Sequence, residues 1–477
     1  MSSLGTFVLL LALSIIILTV LILKCKMHPV ISLLFSAIFL SVSLGNSVVT
    51  TMDTINAGFG GTMSGIGVPI ILGATLAMAI HDTGAASAIA NSFIKMFRGK
   101  HLELAPALTA YIMSIPVFGD ITIMLTTPIA SVLAKRKKIS MGTMAVTTNT
   151  ALGLTHNLVP PTPGILAVAL ILGADLGQVI IWGIVISIVA LFSTWLVFRK
   201  WSESEKEFID PREDFVYGID TVADNASVDQ LLIPMKDAPS GFAAILPLIV
   251  PILLIALSSF ANAYLPAESF TVTIFAALGN KNVALLIGLI LASIVALQHK
   301  NSVLENVNKT MSEDKKLNSI WNVIVNNWVE RGLAAGIGAL MITSMGGAFS
   351  KVITTSPVIS EMGEVIAHTN FPAILVPFCI ASVMFTAVGS GTTAAMTCAG
   401  IVAPMLPILG ISPVAAALSG ACGCIVFTHA NNSGFWISAE YFHLDLKQSF
   451  KWQTLADGFA GIVSLILLVM IHAIGLV

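Results

Sequence analysis

Charge is scarce in this chain. Only 10% of its 477 residues are Asp, Glu, Lys or Arg, and the net charge is -2 at pH 7. That leaves no basic surface for nucleic acid and no block of like charge to act as an interaction tail. The pattern GxxxxGK[ST] is absent, so drive by ATP bound to a P-loop of this chain is excluded. Neither H-E-x-x-H nor G-x-S-x-G occurs, and the histidines are not spaced for metal ligation, so an intramembrane enzyme lacks its constellation. Cysteine is sparse as well. Cys25, Cys379, Cys398, Cys422 and Cys424 have no zinc-type pairing, and most lie in apolar runs, where a cysteine acts as a small core residue. No metal and no cofactor is expected.

Apolar residues take the place of charge. They make up 56% of the chain, and the mean hydropathy is +0.93, outside the range of soluble globular proteins. The expected fold is an all-α polytopic membrane protein. Spans of about 20 apolar residues are read at 6–24, 29–46, 104–118 continuing into 120–134, 179–198, 243–259, 282–297, 371–388, 399–428 in two pieces, and 455–475. With the Gly-rich and Pro-rich segments between them, the reading is about 11–12 transmembrane helices with two broken or re-entrant hairpins. The run from Thr6 to Leu23 has no basic residue before it and no small-residue cleavage site after it, so it is expected to stay as a helix. Lys24 and Lys26, the group Lys95, Arg98 and Lys100, "KRKK" at 135–138, and Lys300 with Lys309, Lys315 and Lys316 place their loops in the cytoplasm. The uncharged tails then lie outside.

A polar, mostly acidic stretch, 199–240, divides the chain into halves 1–198 and 241–477 and reads as a solvated cytoplasmic linker. The halves carry similar events in the same order, as expected of two structural repeats. "IPVFGD" (115–120) corresponds to "VGSGTT" (388–393), "KISMGTMAV" (138–146) to "GISPVAAAL" (410–418), and "LTHN" (154–157) to "FTHAN" (427–431). Paired broken segments mark transporter folds, because non-helical backbone at membrane depth survives only where protein buries it or where it lines a cavity. Pro160, Pro161 and Pro163 forbid a continuous helix through the first such segment, near 142–165. Thr162 is placed to cap a helix starting at Pro163, whose free N–H groups and dipole suit an anion. In the second, near 386–404, Gly389 and Gly391 allow a turn while Ser390, Thr392 and Thr393 supply hydroxyls. Two such helix ends face to face can hold a small polyhydroxylated carboxylate without a buried arginine.

Ionisable residues inside membrane segments are costly and point to function. Asp120 follows a Gly/Pro break and either caps the next helix or moves a proton. His156 and His429 hold equivalent positions in the two halves and can titrate or donate to a carboxylate. Arg331 is expected to meet an interfacial phosphate, and Asp82 and Glu440 to lie at the interface.

Five blocks together resemble the gluconate permease (GntP) family of the ion transporter superfamily: "GFGGTMSGIGVPIILGATLAMAIHDTGAA" (58–86), "IPVFGDITIMLTTPIA" (115–130), "THNLVPPTPG" (155–164), "GSGTTAAMTCAGIVAP" (389–404) and "THANNSGFW" (428–436). The resemblance implies proton-coupled import of gluconate, a related sugar acid or D-serine across a bacterial inner membrane. It also implies a homodimer surrounded by lipid, moving as an elevator. It points to Thr155, His156, Asn157, Pro161, Thr162, Gly389, Ser390, Gly391, Thr392, Thr393, His429, Asn431, Asn432 and Ser433 for substrate, and to Asp120, His156 and His429 for the proton. One position departs: the family more often has Asp where Asn432 stands, and an amide cannot carry a proton. Sodium coupling is the alternative, since unwound carbonyls with Ser and Thr hydroxyls also suit Na⁺.

Overall fold

Polar side chains at apolar boundaries start many of the helices. Ser47, Ser140, Asp175, Ser240, Asn280 and Ser412 each accept a hydrogen bond from a backbone N–H of the first helical turn that follows, which satisfies a donor that lipid would leave orphaned. The computed structural model describes residues 4–116, 119–205, 207–222, 227–233, 237–266, 268–309, 311–312, 316–356, 371–430 and 432–477. Among these residues there are helices and no strands. Nine helical stretches are long and apolar enough to cross a membrane, and four shorter apolar helices accompany them.

Two long helices differ from the sequence reading. Residues 48–82 and 328–354, which the glycines appear to interrupt, are continuous helices of 35 and 27 residues packed on one another. The glycines form the contact. A Cβ on Gly58 would lie 2.6 Å from the Lys351 Cβ and 2.8 Å from the Ala348 Cα, and one on Gly332 would lie 2.8 Å from the Thr75 nitrogen. Small residues here allow close approach of two helices, the usual basis of association in lipid. Counting glycine as a breaker therefore misplaced two spans.

The halves repeat one arrangement. In the first, helices Leu104–Met113 and Gly119–Lys137 fold back on each other as a hairpin. The interrupted helix Met141–Leu158 and Pro163–Leu172 follows, then Leu176–Ser204. In the second, Leu375–Val388 and Gly391–Val402 form the hairpin, Pro413–Gly423 and Ser433–Tyr441 the interrupted helix, and Leu455–Ala473 the closing helix. The break near 142–165 thus lies in an interrupted helix, and the fold-back of that half lies one element earlier. The break near 386–404 lies between helices Leu375–Val388 and Gly391–Val402, which pack on each other. Ser140 and Ser412, matched in the sequence, cap the two interrupted helices.

The halves interlock by exchange. The segment 163–172 packs on the second hairpin at 391–402, and 433–441 packs on the first hairpin at 119–137. Likewise helix Pro29–Ser43 packs on 328–354, and Lys281–Gln298 packs on 48–82. Residues 199–240 are more than a solvated connector. Residues 199–204 complete helix Leu176–Ser204, Ile209, Val216 and Leu231 are buried, and the Met141 and Val222 backbones bond to Ile209 and Arg136.

Arg331 and Asp82 also depart from expectation. Asp82 is fully buried and accepts from Arg331 at 2.7 Å and from the Trp328 indole at 2.8 Å, with His81 Nδ1 at 2.7 Å. The guanidinium therefore fastens the start of 328–354 to the end of 48–82, where a phosphate was expected.

Candidate functional site

Four breaks meet around one cavity of about 510 Å³. The first hairpin contributes Gly119, Asp120, Ile121 and Ile123, and the first interrupted helix Asn149, Leu152, Gly153, His156 and Asn157. The second hairpin contributes Phe385 and Gly389 to Thr392. The second interruption and the helix after it add Cys424, Ile425, Thr428, Asn432, Gly434 and Ser438. Ala335, Gly338 and Ile342 of the long helix 328–354 form one wall, and Gln453 and Asp457 before and within the last helix form another. No lysine or arginine lines the cavity among the described residues.

The local geometry follows from the residue types. Gly389 takes a left-handed φ of 74°, so the chain turns there, and the Ser390 hydroxyl accepts from the Thr393 N–H at 3.3 Å and the Thr393 hydroxyl at 3.0 Å. Those bonds cap helix 391–402 and leave Gly391 and Thr392 facing the cavity. A Cβ on Gly391 would sit 3.2 Å from Asn157 Oδ1, so the hairpin tip lies directly against the first interrupted helix. At the other break, Asn432 accepts from the Phe435 N–H at 3.2 Å and donates to the Gly389 carbonyl at 2.8 Å. One amide thus caps helix 433–441 and holds the second hairpin tip. A Cβ on Gly434 would lie 3.8 Å from Asp120 Oδ1, placing that carboxylate beside the N-terminus of 433–441, where a helix dipole favours negative charge.

Asp120, His156, Asn157, Gly389, Ser390, Gly391, Thr392 and Asn432 are therefore brought together at the cavity. Others lie behind it. Thr155 is buried, hydrogen-bonds Ser114 and donates to the Ala151 carbonyl at 3.0 Å. Pro161 is buried in the break. Thr162 is the residue before helix 163–172, but its hydroxyl makes no cap. It donates instead to the carbonyls of His156 at 2.8 Å and Val159 at 3.2 Å, closing the end of the preceding helix. Thr393 is buried in the Ser390 cap. His429 is no mate of His156 at the cavity, since its Nε2 bonds the Thr386 carbonyl at 3.1 Å. Ser433 opens helix 433–441, and Asn431 lies outside the described residues. Asn149, Ser438, Gln453 and Asp457 were missed. Asp457 carried a readable signal, a lone carboxylate in the apolar run "LADGFAGIVSLILLVMIHA". Asn149 and Ser438, joined at 2.6 Å, carried none, because their contact crosses the two halves.

The model of the GntP family permeases matches residues 6–474. The chain belongs to the GntP permease family. This GntP permease is thus a multi-pass membrane transporter and not an enzyme. It is 27% identical over 463 residues to the high-affinity gluconate transporter of Escherichia coli (strain K12), covering 96% of this chain and 98% of that protein. It is 27% identical to the gluconate permease of Pseudomonas aeruginosa, covering 97% and 96%. It is also 29% identical to the D-serine transporter DsdX of Escherichia coli (strain K12), covering 95% and 96%. Among solved structures, Neisseria gonorrhoeae MtrF, described as illuminating a class of antimetabolite efflux pumps, aligns with a TM-score of 0.58 at 13% identity over 88% of this chain and 83% of that one. The Alcanivorax borkumensis YdaH transporter aligns at 0.55 with 15% identity, covering 89% of each chain. These two likenesses concern the fold alone.

Proposed function

We propose that this permease imports gluconate or a related small hydroxy acid across a bacterial inner membrane by proton symport, as a homodimer working by an elevator motion. The observation that carries the reading is the cavity's charge pattern: the N-termini of helices 119–137, 391–402 and 433–441 border it together with two carboxylates and, among the described residues, no lysine or arginine. Helix N-termini and backbone N–H groups suit a substrate carboxylate, with Gly391, Thr392, Asn157 and His156 within its reach. Asp120 supplies the proton coupling. A cavity of about 510 Å³ has an equivalent radius of about 5 Å, so a bound anion and an ionised wall carboxylate stand about 6 Å apart. At an effective dielectric of about 20 they repel by about 3 kcal/mol, roughly 100-fold in affinity. Protonating the carboxyl removes that cost, so anion and proton bind together. The surface that helix 328–354 turns to the cavity, Ala335, Gly338 and Ile342, is uncharged and suits an element sliding past a fixed scaffold.

The test is uptake of labelled gluconate into vesicles under an imposed pH gradient. One coupled proton gives about tenfold accumulation per pH unit. Asp120→Asn should abolish accumulation while exchange at equal concentrations persists, because exchange needs the site but no net proton movement. Full accumulation by Asp120→Asn, or accumulation driven by a sodium gradient alone, would overturn the proton role assigned here. The same charge pattern favours a second reading, a zwitterionic amino acid whose ammonium pairs with a wall carboxylate, as in the D-serine relative's name. Competition by D-serine stronger than by gluconate would select it.

A further inference from the structure

Two buried side chains in the cavity wall have unfilled hydrogen-bonding capacity. Gln453 is 2% exposed and Asp457 6%. Yet Gln453 Nε2 and Asp457 Oδ1 have no partner, although both residues line the cavity. They stand four residues apart on one continuous helical path, so they share a face. Unfilled buried polar atoms are rare in folded proteins and call for a physical reason. One offers a donor and the other an acceptor, and a hydroxyl group needs both at once.

Their position along the cavity is fixed by the first interrupted helix. A Cβ on Gly153 would lie 3.9 Å from Asp457 Oδ1, whereas Asn157, four residues on, meets the second hairpin tip at Gly391. Four residues of helix rise about 6 Å. Asp457 therefore stands about one helical turn from the hairpin tip at Gly391, and Gln453 lies one turn of its own helical path from Asp457. His156 Nδ1, also buried and without a partner, lies on the same stretch of helix.

We infer that Gln453 and Asp457 form a hydroxyl-recognition subsite for the polyhydroxylated chain of the substrate, with Asp457 about one helical turn from its carboxylate. The inference rests on the hydroxy-acid reading above and deepens it by naming what selects a sugar acid over a short acid. Gln453 Nε2 donates a hydrogen bond to a substrate hydroxyl, and that hydroxyl donates one to Asp457 Oδ1. The acid without that hydroxyl leaves both groups unpaired, and unpaired buried groups are what give hydrogen-bonding sites their strong rejection of deoxygenated analogues.

The experiment measures exchange of labelled gluconate by the full chain in lipid vesicles, with competition by gluconate, by gluconate analogues each lacking one hydroxyl, and by glycolate. In the unmodified protein, loss of one particular hydroxyl should weaken competition by at least about tenfold while the other losses matter less. A flat series would overturn the inference without any variant. Gln453→Met should weaken gluconate by about tenfold or more and leave glycolate within about twofold, and Asp457→Leu, which also removes a wall charge that repels both anions alike, should lower the preference for gluconate over glycolate by about tenfold. An unchanged preference in either folded variant, or an equal loss for both acids, would overturn it. Failure of the underlying reading looks different: the unmodified protein would exchange gluconate with no hydroxy acid at all.

Discussion

Replacing Asn432 with aspartate separates two tasks that one amide performs. As cap of helix 433–441 it accepts from the Phe435 N–H, and aspartate does this equally well. As clamp of the second hairpin it donates from Nδ2 to the Gly389 carbonyl at 2.8 Å, and an ionised carboxylate has no proton to donate. Two oxygens would then face each other at hydrogen-bond distance. The cost is the lost bond plus an unsatisfied, partly buried carbonyl, about 2 kcal/mol, or roughly 30-fold in the balance between a clamped and a released hairpin tip. Protonation restores a donor. The variant's clamp is therefore present at low pH and lost as pH rises through the titration of the new carboxyl. The assay is gluconate affinity by competition, measured from about pH 5 to 8 in Asn432→Asp and in Asn432→Asp combined with Asp120→Asn. The second background removes the pH dependence that the proton role proposed for Asp120 would contribute. Affinity in the double variant should fall with rising pH by up to about 30-fold while the melting temperature stays near that of Asp120→Asn. A flat pH profile in the folded double variant would refute the clamp.

Thr162→Val should act on the break and not on substrate contacts. It removes the bonds to the His156 and Val159 carbonyls, so thermal unfolding should show a loss of about 1–2 kcal/mol while gluconate and glycolate affinities change together or not at all. Gly58→Val should reduce folded protein recovered from membranes, because even a Cβ meets backbone of the facing helix at 2.7 Å and cannot be relieved by a rotamer. Such overpacking costs about 1–3 kcal/mol or more.

Much of this architecture was legible because lipid makes the rules strict. Pro160, Pro161 and Pro163 had to break a helix, Gly389 and Gly391 had to turn one, and the order of events in the two halves gave the repeat. The glycines of 58–67 and 332–347 obey a different rule. Whether glycine breaks a helix or lets another helix approach depends on a partner far away in sequence, here Lys351 against Gly58 and Thr75 against Gly332. The site was partly legible for the same reason. Asp120, Asn157 and Ser390 sit at breaks that the sequence marks, whereas Gln453 and Asp457 lie on a helical path that nothing interrupts, and only the packing of the last helix turns them inward. His429 shows the converse: it matches His156 in sequence, yet the Thr386 carbonyl claims it.

The charge around the cavity ties these residues into one scheme. Each helix N-terminus carries about half a positive charge and each C-terminus about half a negative one. Three N-termini, at Gly119, Gly391 and Ser433, and three C-termini, at Leu158, Val388 and Gly423, border the cavity, so the helix ends nearly cancel and Asp120 and Asp457 leave about -2 when both are ionised. Under the symport proposed above, a substrate anion alone takes the site to about -3, whereas an anion arriving with one proton returns it to about -2. The cavity regains its resting charge only when the two load together. A loaded and an empty carrier would then cross the membrane at similar electrostatic cost, and an anion without its proton would meet the full repulsion of the walls. Under the symport proposed above, Asp120 is the better seat for the proton because it is exposed to the cavity, whereas Asp457 is buried beside Thr428.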